Sequence, residues 1–188
     1  YFDPAKHQIC IVPNQRMKDR KDETETILYE EFLAKIIEYV QKSTLIPFFL
    51  IQGGHEDLML AEKVNSLLTK QIEILHEEDA HSVKGIISCS LALIGSRYHS
   101  LASALYAAIP TLGFGWSHKY KYLFDDFNYQ EGIIELDLPD NELFKKINLI
   151  TQDKSRNDII KKLREGKKNY ERRTKLMFAE IKSLLGIS

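Results

Sequence analysis

Short apolar runs alternate along this chain with segments of helical period, and that alternation limits the fold more than any other feature of the sequence. Runs of strand length fall at residues 8–13, 47–52, 71–75, 91–95, 111–115 and 132–137. They are short and mostly apolar, as strands covered on both faces are. Between them Ile27, Leu28, Phe32, Ile36, Ile37 and Val40 mark one face of a helix over 24–42, and Leu58, Ala61, Val64 and Leu68 mark another over 57–68. Shorter helices are predicted over 82–88, 100–108 and 117–127, and a long one over 156–185 whose apolar stripe is Ile159, Leu163, Tyr170, Met177, Ile181 and Leu184. Strands separated by helices cannot close as hairpins, so they pair in parallel with the helices laid over the sheet. An α/β fold follows: a Rossmann-like parallel sheet of six strands with helices on both faces.

A chain of 188 residues suffices for one domain with a substantial core and is short for two. A single Rossmann-like domain over 1–188 is expected, with 153–188 forming the long C-terminal helix. No apolar run approaches the roughly 20 residues that span a bilayer. The formal net charge of −1 supplies no global field for nucleic acid. Cys10 and Cys89 are too few for a disulfide framework and lack metal-ligand spacing; both lie in apolar runs and read as buried thiols in a reducing cytoplasm. The chain starts at Tyr1 without a signal-peptide pattern and reads as part of something longer.

In open α/β sheets ligands bind beyond the carboxyl ends of the strands, so the residues after each strand carry the chemistry. Asn14-Gln15-Arg16 follows the first run, Gly53-Gly54-His55-Glu56-Asp57 the second, Gly95-Ser96-Arg97-Tyr98-His99-Ser100 the fourth and Gly115-Trp116-Ser117-His118-Lys119-Tyr120-Lys121 the fifth. The fourth junction is the most informative. A strand that ends in Gly95-Ser96 and opens a helix turns backbone N–H groups and the positive helix end toward one spot, which favours an anion. Arg97 adds a planar fork for carboxylate or phosphate, and His99, two residues on, titrates near neutral pH. An arginine at a helix start serves equally as a surface ion-pair partner, and a lone histidine as a structural residue, so the pattern alone leaves both roles open. Asp57 reads as an N-terminal helix cap more readily than as a catalytic group. Trp116 suits core packing and a sugar-stacking wall equally, while His118 and Lys119 bring charge to another helix start. No clustered metal ligands are present, and no metal cofactor is expected.

The run Leu93-Ile94-Gly95-Ser96-Arg97-Tyr98-His99-Ser100-Leu101-Ala102-Ser103-Ala104-Leu105-Tyr106-Ala107-Ala108-Ile109-Pro110 resembles the signature of polysaccharide pyruvyl transferases. Gly113-Phe114-Gly115-Trp116-Ser117-His118-Lys119-Tyr120 resembles that family's next segment, and a weaker likeness extends over 8–137. The resemblance implies the C-terminal, donor-side half of a GT-B-like architecture, in which two Rossmann-like domains face each other across a cleft; the N-terminal half, with much of the acceptor site, is absent from this chain. It also implies transfer of pyruvate from phosphoenolpyruvate to two hydroxyls of a cell-surface polysaccharide sugar, forming a cyclic ketal and releasing phosphate. On that resemblance Arg97 and Arg16 meet the donor's carboxylate and phosphate. Ser96, His55, Trp116, His118 and Lys119 complete the binding site, His99 protonates the methylene carbon, and phosphoenolpyruvate is a substrate with no cofactor needed.

Between Lys154 and Lys175 ten Lys or Arg stand against Asp158, Glu165 and Glu171, a local net charge of +7. Such a block is either a solvated helix face or a contact for an acidic partner: a membrane surface or a lipid-diphosphate-linked saccharide acceptor. The corresponding location is the cytoplasm, at the inner face of the membrane. Two other functions fit the same residues, because a fold does not fix its chemistry. One is a GT-B glycosyltransferase or epimerase that uses a nucleotide-sugar, and the other is a non-catalytic glycan-binding domain.

Overall fold

The structure, a computed structural model, describes residues 8–18, 23–115 and 117–187, with side chains in the first helix from residue 29 onward. Five strands form the sheet: β1 (Gln8–Val12), β2 (Ile46–Ile51), β3 (Glu73–His76), β4 (Ala92–Gly95) and β5 (Thr111–Gly113). All pair in parallel in the spatial order β3-β2-β1-β4-β5. Ile9 lies between Pro47 and Ala92, so β1 is central, and each of its residues is buried. The helices are α1 (Glu23–Gln41), α2 (His55–Leu67), α3 (Ala80–Cys89), α4 (Tyr98–Tyr106), α5 (His118–Asp126), α6 (Asp140–Thr151) and α7 (Asp153–Leu185).

Right-handed crossovers place α1 and α2 on one face of the sheet and, once the chain doubles back, α3 and α4 on the other. The packing agrees: α1 lies against α2 and α6, and α4 against α3, α5 and α7. Leu33, Ile36 and Ile37 of α1 and Leu101, Ala104 and Leu105 of α4 are fully buried. Each such leucine or isoleucine contributes about 1.5–3 kcal/mol of burial. Just past β5, Phe114 meets Tyr29 and Phe32 edge-on at centroid distances of 5.9 and 5.5 Å. The strand order reverses between β1 and β4, and that reversal opens the crevice in which such sheets bind ligands.

The sixth predicted strand shrinks to a single bridge, Gly113 to Ile133, with the Ile134 N–H bonded to the Gly113 carbonyl at 3.0 Å. Only Ile133 and Ile134 are consecutive apolar residues there, and the exposed Glu135 and Asp137 give the chain nothing to bury on a sheet edge. Pro139, which lacks an N–H for a ladder, then leads into α6. That helix was not foreseen, although its buried residues Leu143, Ile147 and Ile150 stand at helical spacing.

In α7 the stripe is buried only at its start, through Ile159, Leu163 and Gly166. A Cβ at Gly166 would lie 2.7 Å from the Phe127 Cα, so glycine lets the helix backbone press against the end of α5. Beyond it the expected burial fails: Tyr170, Met177 and Ile181 are exposed, and Leu184 reaches 81%. The cause is geometric, since α7 outruns the described body of the domain. Lys161, Lys162, Lys168, Arg172 and Lys175 are exposed as predicted, Lys162 in an ion pair with Glu131. Cys10 is buried, which pushes its thiol up, but Cys89 is exposed, contrary to expectation, because it ends a short helix on its outward side. No described helix is long and apolar enough to cross a membrane.

Candidate active site

At the reversal, the loop after β1 and the turn after β4 are neighbours, and Ser96 ties them together. Its N–H donates to the Val12 carbonyl at 3.1 Å, and its own carbonyl accepts from Asn14 Nδ2 at 3.2 Å and Tyr120 Oη at 2.9 Å. Its hydroxyl shares a hydrogen bond with Tyr29 Oη at 3.0 Å, and that phenol also accepts the Asn14 N–H at 3.1 Å. Burial raises the Tyr29 phenol well above its ordinary range, against the smaller pull of Ser96. Ser96 is fully buried. The sequence assigned it to ligand binding; with its hydroxyl committed to Tyr29, it anchors the turn instead.

Arg97 is the N-cap residue of α4, and its side chain crosses to α2. Nε donates to Asp57 Oδ2 at 2.7 Å, Nη2 pairs with the same oxygen, and Asp57 Oδ1 accepts the Gln15 N–H at 2.9 Å. Asp57 is therefore not the cap that the sequence suggested; Gly54 occupies that position, and Asp57 links three segments. A Cβ at Gly53 would collide with the Asp57 carboxylate and lie 2.6 Å from Arg97 Nη2, so the pair depends on a residue without a side chain there. The Asp57 side chain is 2% exposed and that of Arg97 30%, so the guanidinium is partly open and keeps N–H donors beyond those that Asp57 engages.

The other predicted residues gather at the same carboxyl edge to different degrees. Arg16 is exposed in a 3-10 turn, Gln15–Met17, that Asn14 caps by accepting the Arg16 N–H at 3.2 Å. His55 opens α2 and His118 opens α5, both exposed. The Lys119 ammonium lies 5.2 Å from the Tyr98 ring centre and 5.4 Å from that of Tyr120, in cation–π range. Trp116 lies outside the described residues.

His99 is exposed in the first turn of α4, two residues after Arg97. It touches the Tyr98 ring edge-on at 6.0 Å and lines a groove of about 710 Å³ along α4, with Lys84, Tyr106, Phe127 and Tyr170. Arg97 is not part of that groove. Arg97 thus turns to Asp57 of α2, while His99 lines the groove along α4. Sequence reading missed Asp57 as the partner of Arg97, and it missed Tyr29 and Tyr120. Among the described residues no three His, Cys, Asp or Glu side chains gather as metal ligands.

Two solved glycosyltransferases resemble this architecture. Spinosyn forosaminyltransferase SpnP aligns with a TM-score of 0.57 at 9% identity, over 89% of this chain and 40% of its own. The glycosyltransferase SnogD from Streptomyces nogalater aligns with a TM-score of 0.54 at 12% identity, over 93% of this chain and 44% of its own. At such identities the likeness is one of fold, that of GT-B glycosyltransferases, and the chain spans less than half the length of either protein. No curated protein sequence matches it significantly. The family model for polysaccharide pyruvyl transferases matches residues 2–118, which include the junctions after β1, β2 and β4 and the start of α5. The chain belongs to the polysaccharide pyruvyl transferase family.

Proposed function

We propose that this chain is the donor-side domain of an enzyme that transfers pyruvate from phosphoenolpyruvate to two hydroxyls of a cell-surface polysaccharide sugar. The observation that carries this reading is the half-exposed Arg97 guanidinium fixed at the N-terminus of α4, with Lys119 beside Tyr98 on the neighbouring helix start. Phosphoenolpyruvate offers a carboxylate and a phosphate to those cations. Protonation of its methylene carbon develops positive character at the adjacent carbon, one sugar hydroxyl adds there, and the second displaces phosphate to close the ketal. His99 is the proton donor in this scheme, approaching from the groove side of α4 while Arg97 holds the anion from the α2 side. The acceptor is a saccharide or lipid-linked saccharide, and the exposed cations of α7 hold the domain at an anionic surface, the cytoplasmic face of the membrane.

The test is phosphate release from phosphoenolpyruvate by the intact protein in the presence of cell-surface saccharide acceptors, with thermal stabilisation by phosphoenolpyruvate measured beside that by UDP- and CMP-sugars. Saturable stabilisation and release with phosphoenolpyruvate support the proposal. Stabilisation by nucleotide-sugars alone would favour the glycosyltransferase reading that the fold also allows. A response to glycan but to neither donor would favour a binding domain.

A further inference from the structure

Asp57 joins the two cationic junctions through one side chain. Its Oδ2 holds Nε and Nη2 of Arg97, and its Oδ1 holds the Gln15 N–H, one residue before Arg16. On the other side of Arg16 the loop is fixed again, by buried Met17 and by the Lys18 ammonium bonded to buried Glu30 at 2.7 Å. Arg16 itself remains exposed between these anchors. We propose that Asp57 is a positioning residue: one buried carboxylate sets the orientation of Arg97 and the seat of the loop that carries Arg16, so both cations stand ready for one phosphate-bearing ligand. The inference rests on the function above only in taking that ligand to be the donor.

The proposal has a distinctive sign. Asp57→Asn adds one unit of positive charge near the crevice, so simple electrostatics makes phosphate bind more tightly. Positioning makes it bind more weakly, because the guanidinium is then ordered by the ligand rather than by the fold. The probe is inorganic phosphate, titrated calorimetrically into the intact protein and into Asp57→Asn, Arg97→Gln and the double variant. The asparagine amide oxygen can still accept the Gln15 N–H, so Asp57→Asn releases Arg97 and leaves the Arg16 loop seated; it is expected to weaken binding about tenfold, and the double variant to bind no more weakly than Arg97→Gln alone. Unchanged or tighter binding in Asp57→Asn, additive losses, or no phosphate binding by the unaltered protein would each overturn it. Gly53→Ala provides a second route that keeps every charge, because its Cβ displaces the Asp57–Arg97 pair. It is expected to show the same tenfold weakening, and undiminished binding there overturns the proposal even if Asp57→Asn does not fold. Should the phosphate series behave as expected while phosphoenolpyruvate is not turned over, the donor assignment fails and the role of Asp57 stands.

Discussion

Replacing Tyr29 with Phe removes one oxygen from the centre of the β1–β4 junction and leaves the ring in place. The ring keeps its edge-on contact with Phe114, so almost no apolar burial is lost. The Asn14 N–H and the Ser96 hydroxyl both lose the partner they find at 3.1 and 3.0 Å. Asn14 and Ser96 are buried, so water replaces that partner poorly. A stranded buried polar group costs about 1–3 kcal/mol, and rotation of the Ser96 hydroxyl recovers part of one of the two, which leaves a loss of about 2–4 kcal/mol. In a domain of this size that lowers Tm by roughly 5–15 °C. Urea unfolding followed by circular dichroism, on Tyr29→Phe, Ser96→Ala and the double variant, measures it. The two changes remove the same bond and should couple by about 1 kcal/mol. A loss below about 0.5 kcal/mol, or strict additivity, would show that the junction is not held in this way.

Three further outcomes are expected. His99→Gln should lower kcat about 10²–10⁴-fold in the intact enzyme with donor affinity nearly unchanged, and a wild-type kcat across neutral pH would exclude His99 as the proton donor. Burial raises the phenols of Tyr29, Tyr120 and Tyr129 above the ordinary value of 10.0. Their contribution is therefore fully present below about pH 10, and as pH rises above it the unfolded chain ionises first and that stability is lost; urea midpoints between pH 8 and 11 should drop at the alkaline end, and less steeply in Tyr29→Phe. Gly166→Ala should destabilise by about 1–3 kcal/mol despite the better helix propensity of alanine, because its Cβ meets the Phe127 backbone at 2.7 Å; a more stable variant by urea melt would show that α7 is not pressed there.

The sequence reveals what is local. β1, β2 and β4 are legible because almost every residue in them is apolar and buried, and the anion-favouring turn after β4 is legible because Gly95-Ser96 and Arg97 are contiguous. What pairs with Arg97 is not local. Asp57 lies 40 residues away, and a carboxylate in the first turn of a helix reads as a cap or a complement to the dipole until the order β2-β1-β4 brings the two junctions together. Ser96 misleads for the same reason: next to glycine at a helix start it resembles an anion contact, and only the distant Tyr29 shows that its hydroxyl is occupied. The stripe of α7 fails differently. Its period from Ile159 to Leu184 is unbroken in kind, yet burial needs a second surface: Gly166 is the last buried residue of α7, and beyond it the helix meets the described domain only through exposed contacts such as Tyr170 on Phe127 and Arg173 on Asp126.

The distribution of acids over the helix starts gives the crevice a direction. A helix N-terminus carries the equivalent of about half a positive charge. The first turn of α2 holds Glu56 and Asp57, whereas those of α4 and α5 hold no acid. The positive end of α2 is therefore complemented by its own carboxylates, one of which also grips Arg97. The ends of α4 and α5 are not, and Arg97, His118 and Lys119 border them. Tyr120 binds the two starts together through the Ser96 carbonyl. An anion that enters the crevice is consequently drawn most strongly toward the starts of α4 and α5, because at α2 the helix end is already complemented by Glu56 and Asp57.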